Sequence, residues 1–121
     1  MFEIEADKER NLLILSFTRD VVPQEAERCR DAVREALENL KTGFRLLTDL
    51  SGLESMDPEC IPYIKGVMDL FNQKGIAGVV RIIPDPRKDI GFSILSLFHY
   101  RRGIPIVTCG SAAEAKAALS G

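Results

Sequence analysis

Two aspartates near the middle of the chain are the first residues whose type and spacing could support chemistry. Asp49 comes shortly after the apolar pair Leu46-Leu47, and Asp57 directly precedes Pro58. Two carboxylates in one loop region are what an acid/base pair or a magnesium site requires. Aspartate also caps turns and helices routinely, and we favour that structural role for both residues.

Cys60 is the candidate nucleophile. It falls in the predicted first turn of a helix, where the helix dipole can lower the pKa of a thiol. Activation usually takes a base or a cation as well, and Lys65 is the nearest one in sequence. A phosphatase-like loop would need arginine at the sixth position after the cysteine, but Gly66 follows Cys60 there and Ala115 follows Cys109. A thiol-dependent enzyme that uses Cys60 therefore stands as an alternative function.

The composition is typical of one globular domain without a cofactor. The chain has 121 residues, of which 45% are hydrophobic and 28% are charged. Its formal net charge of -2 gives no general attraction to phosphate backbones, so we expect no nucleic-acid partner. The cysteines and the one histidine lack zinc-ligand spacing, and no Walker A or GxGxxG pattern is present. We expect no metal and no cofactor.

The amino-terminal residues and the cysteines indicate a compartment. The chain begins without the basic and then apolar regions of a signal peptide, and no apolar run approaches ~20 residues. Cys29, Cys60 and Cys109 form no CxxC pair and leave an odd count, which is typical of a reducing environment. We expect a cytoplasmic protein with three free thiols and no membrane insertion.

The elements that would position these residues follow from hydrophobic periodicity. Apolar and acidic residues alternate over positions 2–7, and an apolar run covers 12–17, which predicts a hairpin with its first strand at a sheet edge. The helical spacing of apolar residues and the positions of turn residues predict the other elements. The first of them are a helix from Pro23 closed by Gly43, a strand over 44–50, a polar turn and a helix from Asp57 to Gly75. A strand over 78–83, a helix over 90–101, a strand over 104–109 and a helix opened by Ser111 follow.

Pro62 is awkward within the second predicted helix if Asp57 is its N-cap. A proline at the fifth helical position removes an interior hydrogen bond and crowds the preceding turn. We therefore expect that helix either to begin irregularly or to begin one turn later.

The order of the elements predicts the fold class. After the hairpin, strands and helices alternate, which favours right-handed crossovers and parallel strands covered by helices. We expect one α/β domain over residues 1–121, with a mixed, mostly parallel sheet of about five strands and about four helices.

Residues 47–52, Leu-Thr-Asp-Leu-Ser-Gly, together with Met56-Asp57, resemble a pattern of the STAS domain. STAS domains are the module of bacterial anti-anti-sigma factors and of the cytoplasmic tails of sulfate transporters. The pattern is similar to the family's Asp-Leu-Ser strand end and the aspartate that opens its second helix, and the element order matches over nearly the whole chain. The resemblance implies a non-enzymatic protein-binding module, often switched by phosphorylation of a Ser or Thr just after that aspartate.

The sequence departs from the family at the switch. Pro58-Glu59-Cys60 stands where the regulated members have Ser or Thr, so the site lacks the hydroxyl group that a kinase needs. Glu59 is either a fixed negative charge in the place of a phosphate or a solvated glutamate of the first helical turn. Ser51 and Ser55 are nearby hydroxyls, for which turn and capping roles suffice.

The third predicted helix is more apolar than one buried face requires. Phe92, Leu95 and Tyr100 lie off its core stripe and are nevertheless apolar or aromatic. A homodimer, a partner protein or a lipid-like ligand would bury them, or the helix lies deeper in the core. The one histidine, His99, lies beside Tyr100, and we expect it to be packed or at the surface.

We conclude from the sequence that the chain is a protein-binding module and not an enzyme. The partner is another protein, including a second copy of the chain as one possibility. An apolar-ligand or lipid-binding module is the second alternative beside the thiol enzyme. The predicted contact surface consists of Ser51, Ser55, Asp57, Glu59, Phe92, Leu95 and Tyr100.

Overall fold

A five-stranded sheet forms the centre of the computed structural model, which describes residues 1–85, 87, 88, 90 and 103–120. Its strands are neighbours in sequence order. The first pair is antiparallel and the other three pairs are parallel, which confirms the predicted hairpin with its first strand at an edge. The strands are β1 (Phe2–Asp7), β2 (Leu12–Val21), β3 (Arg45–Met56), β4 (Gly78–Ile82) and β5 (Ile106–Cys109).

Three α-helices belong to the described residues, against the four or so predicted. They are α1 (Pro23–Leu37), α2 (Ile61–Lys74) and α3 (Ala112–Ser120), and a 3-10 turn (Pro58–Cys60) precedes α2. The helix predicted over 90–101 lies outside the described residues except for Ile90, which is half-buried against the core and belongs to no helix. None of the described helices is long and apolar enough to cross a membrane.

The two faces of the sheet carry separate apolar layers, because successive side chains of a strand point to opposite faces. On the face that we name the α1/α2 face, Leu13, Leu15 and Leu46 pack with buried residues of both helices. On the opposite face, which we name the α3 face, Leu12, Val80 and Ile82 pack with α3. The apolar runs of the parallel strands therefore contribute side chains to an apolar layer on each side of the sheet.

The end of α1 differs from the prediction. The helix ends at Leu37, not near Gly43, because the next N–H groups bond three residues back and tighten the chain into turns. Gly43 lies beyond these turns with a φ of 89°, and its N–H donates to the carbonyl of Gly75 at 2.8 Å. Gly75, with a φ of 93°, caps α2 as predicted.

The start of α2 is irregular, as expected from Pro62. Asp57 caps the 3-10 turn, and α2 begins only at Ile61. Pro62 is thereby moved into the first two positions of the helix, where a backbone N–H has no partner within the helix and its absence costs little.

Asn11 links the hairpin turn to the chain that enters β3. It has a φ of 47°, and its side chain accepts a hydrogen bond from the Lys41 N–H at 2.9 Å and donates to the Lys41 carbonyl at 3.2 Å. The Asn11 carbonyl accepts from the N–H of Arg45 at 3.0 Å. This link sets where β3 begins beside β2.

Candidate functional site

The third strand continues well past its neighbour β4, at the carboxyl end of the sheet where ligands and partners of α/β folds are usually bound. Pairing with β4 ends at Asp49 and Ile82, whereas β3 continues beside β2 to Met56. The predicted polar turn after residue 50 is therefore wrong. Leu50, Leu53 and Met56 are buried and the residues between them are more exposed, so the segment is a strand with one apolar side.

Two register shifts explain why this part of β3 did not look like a strand. One extra residue of β3 is accommodated before Gly52 and another before Ser55. Such bulges bend the strand and break the alternation of side chains. Gly52 is required at the first shift, because a Cβ there would come within 2.8 Å of Thr18 Cγ2. At the second shift, Arg19 adopts a φ of 59°, which is rare for a residue with a side chain.

Ser51 lies at the outer side of this site, next to the ends of β4 and β5. Its N–H and its Oγ both donate to Asp49 Oδ1, at 2.9 Å and 2.6 Å. Both groups are used in a local turn-like contact, which agrees with the predicted structural role. Ser51 also borders a shallow depression of about 280 Å3, which is lined further by Ile83, Pro84, Asp85 and Gly110.

Ser55 is tied to β2 at the inner side of the site. Its Oγ donates to Asp20 Oδ1 at 2.5 Å. Asp20 was not among the predicted site residues, although a polar residue at the carboxyl end of a strand is a signal that could have pointed to it. The hydroxyl of Ser55 is therefore already engaged within the fold.

Asp57 holds the junction between β3 and α2. Its N–H donates to the carbonyl of Val21 at 3.0 Å, and its Oδ1 accepts the N–H of Glu59 at 2.9 Å. Its carbonyl accepts the N–H of Cys60 at 2.8 Å. Pro58 and Glu59 are exposed between these anchored residues, so the charge of Glu59 is presented on a fixed turn.

Asp49 and Asp57 do not lie in one loop, in contrast to the prediction. Asp49 lies opposite Ser16 of β2, whereas Asp57 follows Met56, which lies opposite Val21; the five residue steps of β2 between these positions correspond to roughly 17 Å at ~3.3 Å per residue. An acid/base pair or a shared metal ion between them is thereby excluded. Among the described residues, no group of three or more potential ligands could hold a metal ion.

Cys60 is buried, and its environment opposes reactivity. Its Sγ lies 3.6 Å from the carbonyl oxygen of Val21. Burial, and then the charge of Asp57, raise the pKa of this thiol to about 11, so the expectation that the helix end lowers it is wrong. Burial and the charge of Glu25 raise the pKa of Cys29 to about 12. All three cysteines are free thiols, as predicted.

Exposed apolar side chains accompany the acidic groups at this end of the sheet. Val22, which follows β2, is 48% exposed, and Ile83, which follows β4, is 45% exposed. The carboxylate of Glu54 pairs with Lys88 at 2.6 Å. Asp85 pairs with Arg87 at 2.8 Å, and its hydrogen bonds with Arg87 lower the pKa of this carboxyl to about 2.

The structure thus divides the predicted contact surface. It brings Ser55, Asp57 and Glu59 together with Asp20 at the ends of β2 and β3, and it places Ser51 nearer the ends of β4 and β5. Phe92, Leu95 and Tyr100, as well as His99, lie outside the described residues. Their contribution to the surface stays a prediction.

Comparison with known proteins identifies the architecture. No family model matches the chain, and no curated protein matches it in sequence. The unphosphorylated anti-sigma factor antagonist SpoIIAA is similar in structure, with a TM-score of 0.67, 15% sequence identity and coverage of 100% of this chain and 99% of that one. The fold is that of a STAS domain. The amino-acid sequence of the chain has diverged strongly from that of the similar structure.

Two further structures share this STAS-like fold over nearly their full lengths. A putative anti-sigma factor antagonist from Thermotoga maritima has a TM-score of 0.63 and 18% identity, with coverage of 99% of this chain and 95% of that one. An anti-sigma factor antagonist from Mycobacterium paratuberculosis has a TM-score of 0.56 and 15% identity, with coverage of 100% and 96%. At these identities the likeness is one of fold.

Proposed function

We propose that this STAS-like domain is a non-enzymatic, cytoplasmic regulatory module that binds another protein in the manner of an anti-sigma factor antagonist. Its binding surface is the β2–β3 tip, which we define as Asp20, Val22, Ser55, Asp57 and Glu59. The observation that carries the proposal is the exposure of Val22 and Glu59 beside a junction that is fixed by hydrogen bonds. A surface that is already fixed in its shape loses less conformational freedom on binding, which favours its use as an interaction site.

The chemistry of the tip supports binding over catalysis. Ser55 Oγ is engaged with Asp20, and the Cys60 thiol is buried with a raised pKa. A nucleophile needs access to substrate, and the buried Cys60 thiol lacks it. The thiol-enzyme alternative therefore gains no support from this site.

The position of Glu59 supports a surface that is not switched by phosphorylation. Glu59 is exposed in the 3-10 turn, immediately before α2, and carries its charge where backbone N–H groups favour an anion. Its own N–H is already bound by Asp57. We propose that Glu59 is a constant part of the contact, in the place where regulated members of the family carry a phosphorylatable hydroxyl.

An enclosed apolar ligand is not favoured by the described residues. Depressions occur at the β1–β2 surface, with about 600 Å3, and beside Ser51, with about 280 Å3. Both are open to solvent and have charged residues among their walls. A lipid carrier requires a closed apolar cavity instead.

The test is a binding comparison of variants of the full chain. Val22→Asp and Glu59→Lys change the tip, whereas Glu35→Lys changes an exposed residue of α1 away from it. Proteins captured from native lysate by the unaltered chain should be lost with both tip variants and kept with the control, while circular dichroism shows all three to be folded. Capture that is unchanged by both tip variants would refute the proposal.

A further inference from the structure

The α3 face is covered over only part of its width by the described helices. Helix α3 packs on β4 and β5, where Ala115 and Leu119 join the apolar layer. Leu12, at the start of β2, is also fully buried in this layer, whereas Ile14 of β2 and Leu47 of β3 are only half-buried and Glu3 and Glu5 of β1 are exposed.

The half of this face that β1, β2 and β3 form is a regular grid of facing residues. Strand register and the alternation of side chains place three rows across β1, β2 and β3. The rows are Asp7, Leu12 and Arg45; Glu5, Ile14 and Leu47; and Glu3, Ser16 and Asp49.

The middle of this grid is apolar and incompletely buried. Ile14 and Leu47 face each other across the β2–β3 pair, and both are only half-buried while they contact the apolar layer under α3. A depression of about 600 Å3 lies beside Ile14, between β1 and β2, with Glu3, Glu5 and Ser16 among its walls. Ile14 therefore connects the apolar layer under α3 with this open depression, to which Phe2 and Ile4 also contribute.

The border of the grid is acidic. It carries four carboxylates, of Glu3, Glu5, Asp7 and Asp49, against one guanidinium, of Arg45, which leaves a formal charge of three negative units. Asp7 has Arg10 at 3.9 Å. Within the described part of the chain, Glu3 and Glu5 form no ion pair. A positively charged occupant would neutralise them.

The dimensions suit a helix. Six residues of β1 extend roughly 20 Å at ~3.3 Å per residue, and three strands at ~4.8 Å spacing give roughly 14 Å of width. A helix of about 13 residues is also roughly 20 Å long, with a diameter of about 10 Å. Helix α3 already lies against the neighbouring half of the same face, so a second helix would complete the layer.

We propose that the β1–β3 half of the α3 face binds an amphipathic helix of a partner protein, with lysine or arginine beside its apolar stripe. The stripe packs on Ile14 and Leu47, and the cations lie against Glu3 and Glu5. A second copy of the chain, placed face to face, would instead bring these carboxylates together, and like charges at an interface are costly. This site is separate from the β2–β3 tip and does not depend on the function proposed for it.

The probe for this site is a 14-residue helical peptide of leucine and lysine with its leucines on one face, and its analogue with glutamate for lysine. Titration into isotope-labelled protein, followed by NMR, should shift the methyl signals of Ile14 and Leu47. The dissociation constant should rise about tenfold in the E3K/E5K variant and less than about twofold in E35K/E38K, which reverses two exposed charges at the end of α1. The Ile14→Ala variant, which keeps every charge, should also weaken binding, and the glutamate peptide should not bind.

Three results would overturn the proposal. Equal weakening in E3K/E5K and E35K/E38K would show unspecific attraction of a cation to an acidic protein. Shifts confined to the α1/α2 face would place the peptide elsewhere. Self-association in sedimentation experiments that E3K/E5K abolishes would assign the face to a second copy of the chain.

Discussion

Ser55 Oγ donates a 2.5 Å hydrogen bond to Asp20 Oδ1, and this contact joins the end of β3 to the end of β2 beyond the last pairing of β3 with β4. The N–H of Asp57 adds a second link, to the carbonyl of Val21 at 3.0 Å. The two strands at the tip are held by these bonds and by the buried side chains beneath them. The shape of the tip therefore depends on a few identifiable groups.

The hydrogen bond between Ser55 and Asp20 should be detectable as a coupling free energy. Ser55→Ala and Asp20→Ala should each lower the free energy of unfolding by about 1 kcal/mol, because each removes a bond between a hydroxyl and a carboxylate. The double variant should lose little more than either single one. Urea unfolding of the four proteins measures this, and strictly additive losses would show that the contact does not exist in solution.

Asp57 should stabilise the junction as a cap. Asp57→Ala should cost about 1 kcal/mol of unfolding free energy, since it removes the acceptor of the Glu59 N–H, whereas Asp57→Asn should cost much less because asparagine is an equally good cap. Asp69→Ala, at an exposed position in the middle of α2, is the matched control and should be nearly neutral. Thermal unfolding of the three variants measures these differences in stability. An equal loss of stability in Asp57→Ala and Asp57→Asn would contradict the capping role.

Gly52 should be intolerant of a side chain because of Thr18. Gly52→Ala should destabilise by about 1–3 kcal/mol, since its Cβ would approach Thr18 Cγ2 to 2.8 Å. Adding Thr18→Ser, which removes that methyl group, should recover most of the loss. Gly110→Ala is the control, because nothing lies within 4 Å of a Cβ there. If Thr18→Ser brings no recovery, the close contact is not the cause.

The buried thiols should make the fold sensitive to alkali. Their pKa values are raised from 9.0 to about 11 for Cys60 and about 12 for Cys29, so above pH 9 the unfolded chain loses these protons first. Stability is full below that pH, and between about pH 9 and 11 it should fall by about 1.4 kcal/mol per pH unit for each thiol.

The matched comparison for this pH effect is the Cys29→Ala/Cys60→Ala double variant. It should show a flatter decline of unfolding free energy over the same range, even if its stability at pH 7 is lower. Iodoacetamide should also label Cys60 of the folded protein far more slowly than a free thiol. Rapid labelling at neutral pH would contradict the burial of this side chain.

The order of the elements along the chain and the starts of β1, β2, α1 and β4 follow from periodicity that is local in the sequence. The alternation in β1 and the spacing of apolar residues in α1 are set by which face each side chain must bury. Ser111 followed by Glu114 is a local signal for the start of the carboxyl-terminal helix, and the N–H of Glu114 does donate a hydrogen bond to Ser111 Oγ, at 3.2 Å. Such signals need no knowledge of distant contacts.

The end of β3 could not be predicted from local pattern. Its buried residues, Leu50, Leu53 and Met56, are spaced by three because of the two bulges, whereas an undistorted strand would bury every second residue. Serine and glycine at positions 51 and 52 then suggested a turn. The bulges arise from pairing with β2, which is distant in sequence, and for the same reason Asp20 was not recognised as the partner of Ser55.

The link between Asn11 and Lys41 has a consequence for the order of folding. The β1–β2 hairpin is local and can form in microseconds, whereas β2 and β3 pair only after the chain between them closes. The side-chain amide of Asn11 forms hydrogen bonds with the backbone of Lys41, 30 residues later, and so fixes the position of the segment that leads into β3. Removal of that amide should therefore slow refolding more than it speeds unfolding.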